Sequence, residues 1–309
     1  MSSHKKKFNI SRLFKIIKDT FQGFLDDDVT RLSASLAYAT LFSIIPFLSL
    51  LVTFGVFLHV DLTNQLYTQL EPVVGKDVID AFKDIIQNAQ QSDSSTLNTL
   101  VSLGVSIFGA TTVFAEIQSS LNTIWSIKAV PKRSWLKYIK NRLLSFSIII
   151  VFAFILLITF SITNIITDLS NRIIHNNPDI AEYLIRIGGY LINIAVTTLI
   201  FTLIYKLLPD AKLKIKDVVI GALVTTGLLL VGQWGISLYI GIANVGSVYG
   251  AAAFMAVFIT WIYYSAIIIY IGAEFTQAWA NEIGSKIIPD EYAVATKVVE
   301  IHEEPSADN

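Results

Sequence analysis

VVIGALVTTGLLLVGQWGISLYIGIANVGSVYGAAAFMAVFITWIYYSAIIIYIGA, from Val218 to Ala273, is 56 residues without a charged side chain. A helix rises about 1.5 Å per residue and a bilayer core is about 30 Å thick, so about 20 apolar residues cross it. The run is too long for one crossing and suits two. Gly241, Asn244, Gly246 and Gly250 cluster near its middle, where such residues favour a turn.

Working outward, further apolar stretches give six expected spans, at about 32–58, 97–117, 143–167, 183–207, 218–240 and 247–275. Composition agrees. The 309 residues are 53% hydrophobic and 15% charged, with a mean hydropathy of +0.60, whereas soluble domains carry about 25% charged residues. The expected fold class is an all-α integral membrane protein: a six-transmembrane-helix bundle with short amphipathic interfacial helices. A net charge of −1 gives no sign of a nucleic-acid partner. The chain has no cysteine, which removes disulfide and thiol chemistry from consideration.

Orientation follows from the cations, which favour the cytoplasmic side. Nineteen Lys and Arg residues fall in the segment up to Arg31, the loops after the second and fourth spans, and the tail. Only four (Lys76, Lys83, Arg172 and Arg186) fall on the other side. Both termini are therefore expected in the cytoplasm. Charges at Arg12, Lys15 and Lys18 interrupt the apolar region that a signal peptide would need.

Three segments flank or interrupt the 32–279 membrane domain. Residues 1–31 read as a cytoplasmic amphipathic segment, with Ile10, Leu13, Phe14, Ile17, Phe21, Phe24 and Leu25 on one helical face beside Lys15 and Lys18. Asp26-Asp27-Asp28 then precede the first span, where carboxylates suit a helix N-terminus. The extracytoplasmic loop 59–96 carries Val78, Ile79, Phe82, Ile85, Ile86 and Ala89 at helical spacing, as either a packing cap or a gate. Residues 280–309 read as a cytoplasmic, disordered tail.

Motifs for chemistry are missing. His4, His59, His175 and His302 share no metal-binding pattern, and no phosphate loop or nucleophile elbow occurs. No catalytic, cofactor-binding or metal-binding residue is assigned. Charges border the spans at Arg31, Glu116, Arg142, Lys216, Asp217 and Glu274. Arg31, Glu116, Arg142 and Glu274 suggest a charge ring, since a lone buried carboxylate is costly. With Arg133 added, the same group reads alternatively as an entry site for an anionic substrate. The polar residues Asn164, Asn193, Gln233, Tyr249 and Tyr263 lie within spans, either bonding between helices or lining a cavity. Ser35, Ala39 and Ser43 form a stripe of small residues suited to close helix approach, and Pro46 suggests a kink.

Several stretches resemble the YihY/BrkB family, once labelled ribonuclease BN-like. They are DDDVTRLSASLAYATLFSIIP (Asp26 to Pro46), LNTIW (Leu121 to Trp125), YKLLPDAKLKIKDVVIGA (Tyr205 to Ala222), VYGAAAF from Val248, and WIYYSAIIIYIGAEF ending at Phe275. The sequence departs from the family pattern at Ala251-Ala252-Ala253 and at Ala39. The resemblance, which covers about residues 10 to 285, implies a multi-pass protein of the bacterial cytoplasmic (inner) membrane. Serum-resistance and envelope links within the family suggest export or lipid handling by association.

The functional expectation is a facilitator-like transporter or exporter of an amphipathic or anionic metabolite or lipid. The alternative is a non-transporting structural or accessory envelope protein. Ribonuclease activity is not expected, because neither metal ligands nor a basic RNA surface is visible. No Asp, Glu, His, Lys or Arg occupies an expected span interior, so coupling to a proton gradient is not expected either. The expected partners are membrane lipids, with a homo-oligomer or an energising protein as further options.

Overall fold

A computed structural model describes residues 9–57, 80, 83, 96–130, 147, 151, 155, 178–243 and 253–296. The chain is mostly helical there. Helix α1 is Ile10–Asp26, α2 Val29–Phe57, α3 Thr96–Ile124, α4 Pro178–Leu207, α5 Ile215–Ala243 and α6 Ala253–Glu282. Among the described residues, three helical segments are long and apolar enough to cross a membrane: Ile187–Leu207, Ile215–Gly235 and Phe258–Glu282. Helices α2 and α3 each have 29 residues, about 43 Å of helix.

The expected span at 143–167 lies outside the described residues except for Ser147, Val151 and Ile155, which are helical. The loop 59–96 also lies outside them, save Asp80, Lys83 and the first residue of α3. Asp80 and Lys83 are helical and form an ion pair of 3.2 Å. Helix α2 continues through Pro46.

Helix α6 is the hub, packing against α1, α2 and α5, while α2 also packs on α3 and α4 on α5. The connection from α1 to α2 is a single tight turn. Asp28 takes φ +50°, a left-handed conformation that a short polar side chain tolerates better than most. Its carbonyl accepts the N–H groups of Arg31 and Leu32, opening α2.

On α2 the buried face is Val29, Leu32, Ser33, Leu36 and Ala37, joined further along by Ser43. The expected stripe of Ser35, Ala39 and Ser43 is thus displaced, because Ser35 is exposed and Ala39 only half-buried. Large apolar residues at Leu32 and Leu36 reach the shared core, and they set which face turns inward.

That core gathers at one end of the bundle. It unites Leu32 and Leu36 with Phe114, Leu121 and Trp125 of α3 and the turn after it, Phe201, Tyr205 and Leu208 at the end of α4, Val218 of α5, and Tyr270 of α6. Four short strands close the same end: β1 Ile127–Ala129, β2 Ala211–Lys212, β3 Ile288–Pro289 and β4 Ala293–Ala295. Strand β1 pairs antiparallel with β4, and β2 with β3.

The region expected to be a disordered tail from residue 280 is therefore ordered through Thr296. Helix α6 runs to Glu282, and the segment after it pairs with the chain following α3 and α4. The backbone groups of Ile288 to Ala295 find ladder partners that no local pattern in the tail announces.

Candidate functional site

Sequence motifs separated along the chain meet at the strand-bearing end. Asn122, inside LNTIW, makes two hydrogen bonds to Asp210, which follows the YKLLP run. Its Nδ2 donates to Asp210 Oδ2 at 2.9 Å, and its Oδ1 accepts the Asp210 backbone N–H at 2.9 Å. Trp125 of the same motif donates from Nε1 to the Ala273 carbonyl at 3.1 Å.

Tyr205 of YKLLP donates its hydroxyl to the Ile269 carbonyl at 2.6 Å and also bonds Thr225 Oγ1 at 3.0 Å. Trp125 meets the Tyr205 ring edge-on, with centroids 6.4 Å apart. Gly272 is required at this crossing, since a Cβ there would collide with Thr225 Oγ1 and the Tyr205 hydroxyl. Thus α3, α4, α5 and α6 are tied together by side chains whose polar groups are paired.

The polar ties continue to the connecting segments. Asp217, buried in the first turn of α5, accepts the Ser285 N–H at 2.9 Å. Lys212 pairs with Asp290 at 3.0 Å, and this bond raises the lysine above its ordinary range. Lys206 donates to the Leu213 carbonyl. Glu282 receives Lys15 at 2.7 Å and Arg12 at 3.7 Å, fastening α1 to the end of α6. The contact with Glu282 likewise raises Lys15.

The charged residues expected to form a ring are not brought together among the described residues. Arg31 is exposed and lies 3.7 Å from Asp28. Glu116 is half-buried on α3. Arg133 and Arg142 lie outside the described residues. Glu274 is only 1% exposed, and its neighbour is a carboxyl group, that of Asp27. A carboxylate cannot donate to another carboxylate, so Glu274 Oε1 has no hydrogen-bond partner.

Asp27 is held above the ordinary carboxylate range chiefly by burial, with the neighbouring Glu274 side chain opposing the rise and Asp26 and Asp28 adding to it. Sequence reasoning had placed Asp27 as a helix-capping residue and Glu274 opposite an arginine. The available signal was spacing: Gly23 and Asp27 are one turn apart on α1, and Glu274 fits against Gly23, where any Cβ would strike its Oε2.

The polar span residues fall into separate places. Asn193 is exposed, while Gln233 and Tyr263 are half-buried. Asn164 and Tyr249 lie outside the described residues. A hydrogen bond of 3.1 Å joins Thr198 to Thr226 and fixes the antiparallel register of α4 and α5. Eight residues beyond it on each helix, about 12 Å away, Tyr190 and Trp234 come to one depth. They are 65% and 69% exposed. Asn193 lies one turn from Tyr190, in the part of α4 away from the strand-bearing end. Among the described residues, no group of three or more histidines and carboxylates could hold a metal ion.

A sequence profile described as "Virulence factor BrkB" matches residues 20–293. The chain belongs to the BrkB family. Relatives include a UPF0761 membrane protein of Cronobacter sakazakii, 27% identical over 261 residues, covering 81% of this chain and 83% of that protein. Another, from Pseudoalteromonas translucida, is 25% identical over 262 residues, with 84% and 83% covered. A third, from Chromobacterium violaceum, is 28% identical over 257 residues, covering 81% of this chain and 58% of that protein. No solved structure matches. This BrkB-family chain is accordingly a membrane protein, and the family motifs noted in its sequence are those that supply Asn122, Trp125, Tyr205 and Gly272 to the ties described above.

Proposed function

We propose that this BrkB-family protein is a non-enzymatic facilitator that lets an amphipathic metabolite or lipid cross the bacterial inner membrane. It would cross the bilayer six times, with both termini cytoplasmic. The strand-bearing end supports that arrangement: it holds the ends of α3, α4 and α6 and the starts of α2 and α5. The described helices then alternate in direction, provided the 143–167 segment also crosses.

The observation that carries the transport reading is Asn193. A primary amide in a span is costly to present to hydrocarbon. Yet Asn193 is exposed in the part of α4 away from the strand-bearing end, where Tyr190 and Trp234 also stand clear of the core. Polar and aromatic side chains are thus exposed together away from the strand-bearing end, a mixture suited to an amphipathic cargo. Anion attraction through Arg31 gains no support, because Asp28 neighbours it and Asp26 adds a further negative charge to that turn.

The assay is purified protein in liposomes, with fluorescent lipids and amphipathic organic ions as probes, with and without an imposed pH gradient. Downhill movement that Asn193→Leu suppresses, with folding intact, is the expected result. Uphill accumulation driven by the gradient alone would overturn the facilitator reading. The dense hydrogen bonding at the strand-bearing end favours a second reading, a structural or accessory role in the envelope. In that case no probe would move, while deletion would still weaken the envelope.

A further inference from the structure

We propose that Asp27 and Glu274 form a proton-binding site, in which two carboxyl groups hold one proton between them and losing it loosens α1 from α6. Glu274 is 1% exposed, its Oε1 has no hydrogen-bond partner, and its Oε2 lies against the Gly23 backbone. The Gly23 carbonyl already accepts the Asp27 N–H, so the backbone of that turn offers the pair no free donor from Asp27. A proton is the smallest ligand that turns two acceptors into a donor and an acceptor.

The surrounding charges point the same way. From α1 and its following turn, the groups acting on the pair are Asp26 and Asp28, both negative. From α2 the nearest cation is Arg31, which lies beside Asp28. Along α6 the next charge is Glu282, two turns further on, and it is held by Arg12 and Lys15. From α3, Glu116 acts on Tyr270, one turn before Glu274. Lys18 and Asp19 lie exposed on α1. Full ionisation would thus set the half-buried Asp27 charge beside the buried Glu274 charge, which favours keeping one proton. Burial of the Asp27 carboxyl supports this. A metal ion fits less well, because the described residues offer no cluster of three ligands.

Loss of the proton would force the carboxylates apart. The movable partner is α1, since α6 is fixed by α2 and α5 as well. The two ion pairs to Glu282 would then act as the remaining hinge. The site is independent of whether the protein transports anything, and its test involves no flux.

The experiment uses the full chain in lipid nanodiscs, titrated with pH while the infrared carbonyl band of protonated carboxylic acids is recorded. One protonated carboxyl per chain should persist at neutral pH and disappear on alkalinisation. Glu274→Gln and Asp27→Asn should each abolish that shared band. Spin labels at the exposed positions Ser11 and Asn281 should move apart as the band is lost. If Glu274→Gln fails to fold, Asp27→Asn and the unmodified chain still give the readout. Absence of the band at neutral pH, its persistence in both variants, or its displacement by sodium or calcium at fixed pH would each overturn the proposal.

Discussion

Replacing Asn122 by alanine removes a clasp that joins the end of α3 to the turn after α4. Two hydrogen bonds of 2.9 Å are lost. The bond to the Asp210 carboxylate falls in the charged class, about 1.5–3 kcal/mol, and the bond from the Asp210 N–H in the neutral class, about 1 kcal/mol. Both are only partly buried, and water can replace part of each, so the net expectation is about 2 kcal/mol of destabilisation. Asp210→Ala keeps the backbone bond to Asn122 Oδ1 and should cost about 1.5 kcal/mol. In the double variant the shared bond is counted once, leaving a coupling of about 1.5 kcal/mol. Equilibrium unfolding by SDS in mixed micelles, with all four proteins compared, measures that coupling. Additivity within about 0.5 kcal/mol would mean the two side chains do not act on each other, and the clasp would be refuted.

Gly272→Ala should destabilise by about 1–3 kcal/mol, because its Cβ meets Thr225 Oγ1; Thr225→Ala should restore part of the loss, read as the unfolding midpoint in detergent. For Asp27 the raised folded value means the unfolded chain releases its proton first. Its stabilising contribution is then present at low pH and lost as pH rises from the ordinary carboxylate range through the folded value. The unfolding midpoint should therefore fall between about pH 4 and pH 6, with Asp27→Asn flattening that part of the profile; an unchanged slope in the variant would reject the assignment. Reporter fusions active only in the cytoplasm should work at Asn309 and fail at Ser92, and activity at Ser92 would contradict the six-span topology.

The positions of α4, α5 and α6 were legible because a membrane imposes a one-dimensional rule. An uncharged run of sufficient length must become a helix to satisfy its backbone, whatever surrounds it. The charge-free stretch from Val218 to Ala273 therefore located two helices: the expected 218–240 lies within about three residues of both ends of α5, whereas the expected 247–275 begins and stops about six or seven residues before α6 does. Family membership was equally legible, because LNTIW, YKLLP and the GAEF ending are contiguous motifs.

What the residues in those motifs touch was not. Asn122 and Asp210 lie 88 positions apart, and Trp125 reaches a carbonyl 148 positions away. Such pairings depend on which helix faces turn inward, and on α2 large apolar side chains rather than the small-residue stripe decided that. The tail was misread for a related reason. A short edge strand has little pattern of its own, and Ile288 to Ala295 become ordered only when the chain after α3 and α4 supplies partners. Glu274 shows the limit most clearly. The sequence by itself established that a carboxylate near the end of a span needs a partner. Only the tertiary structure, by seating it against Gly23, decided that its neighbour is another carboxyl group.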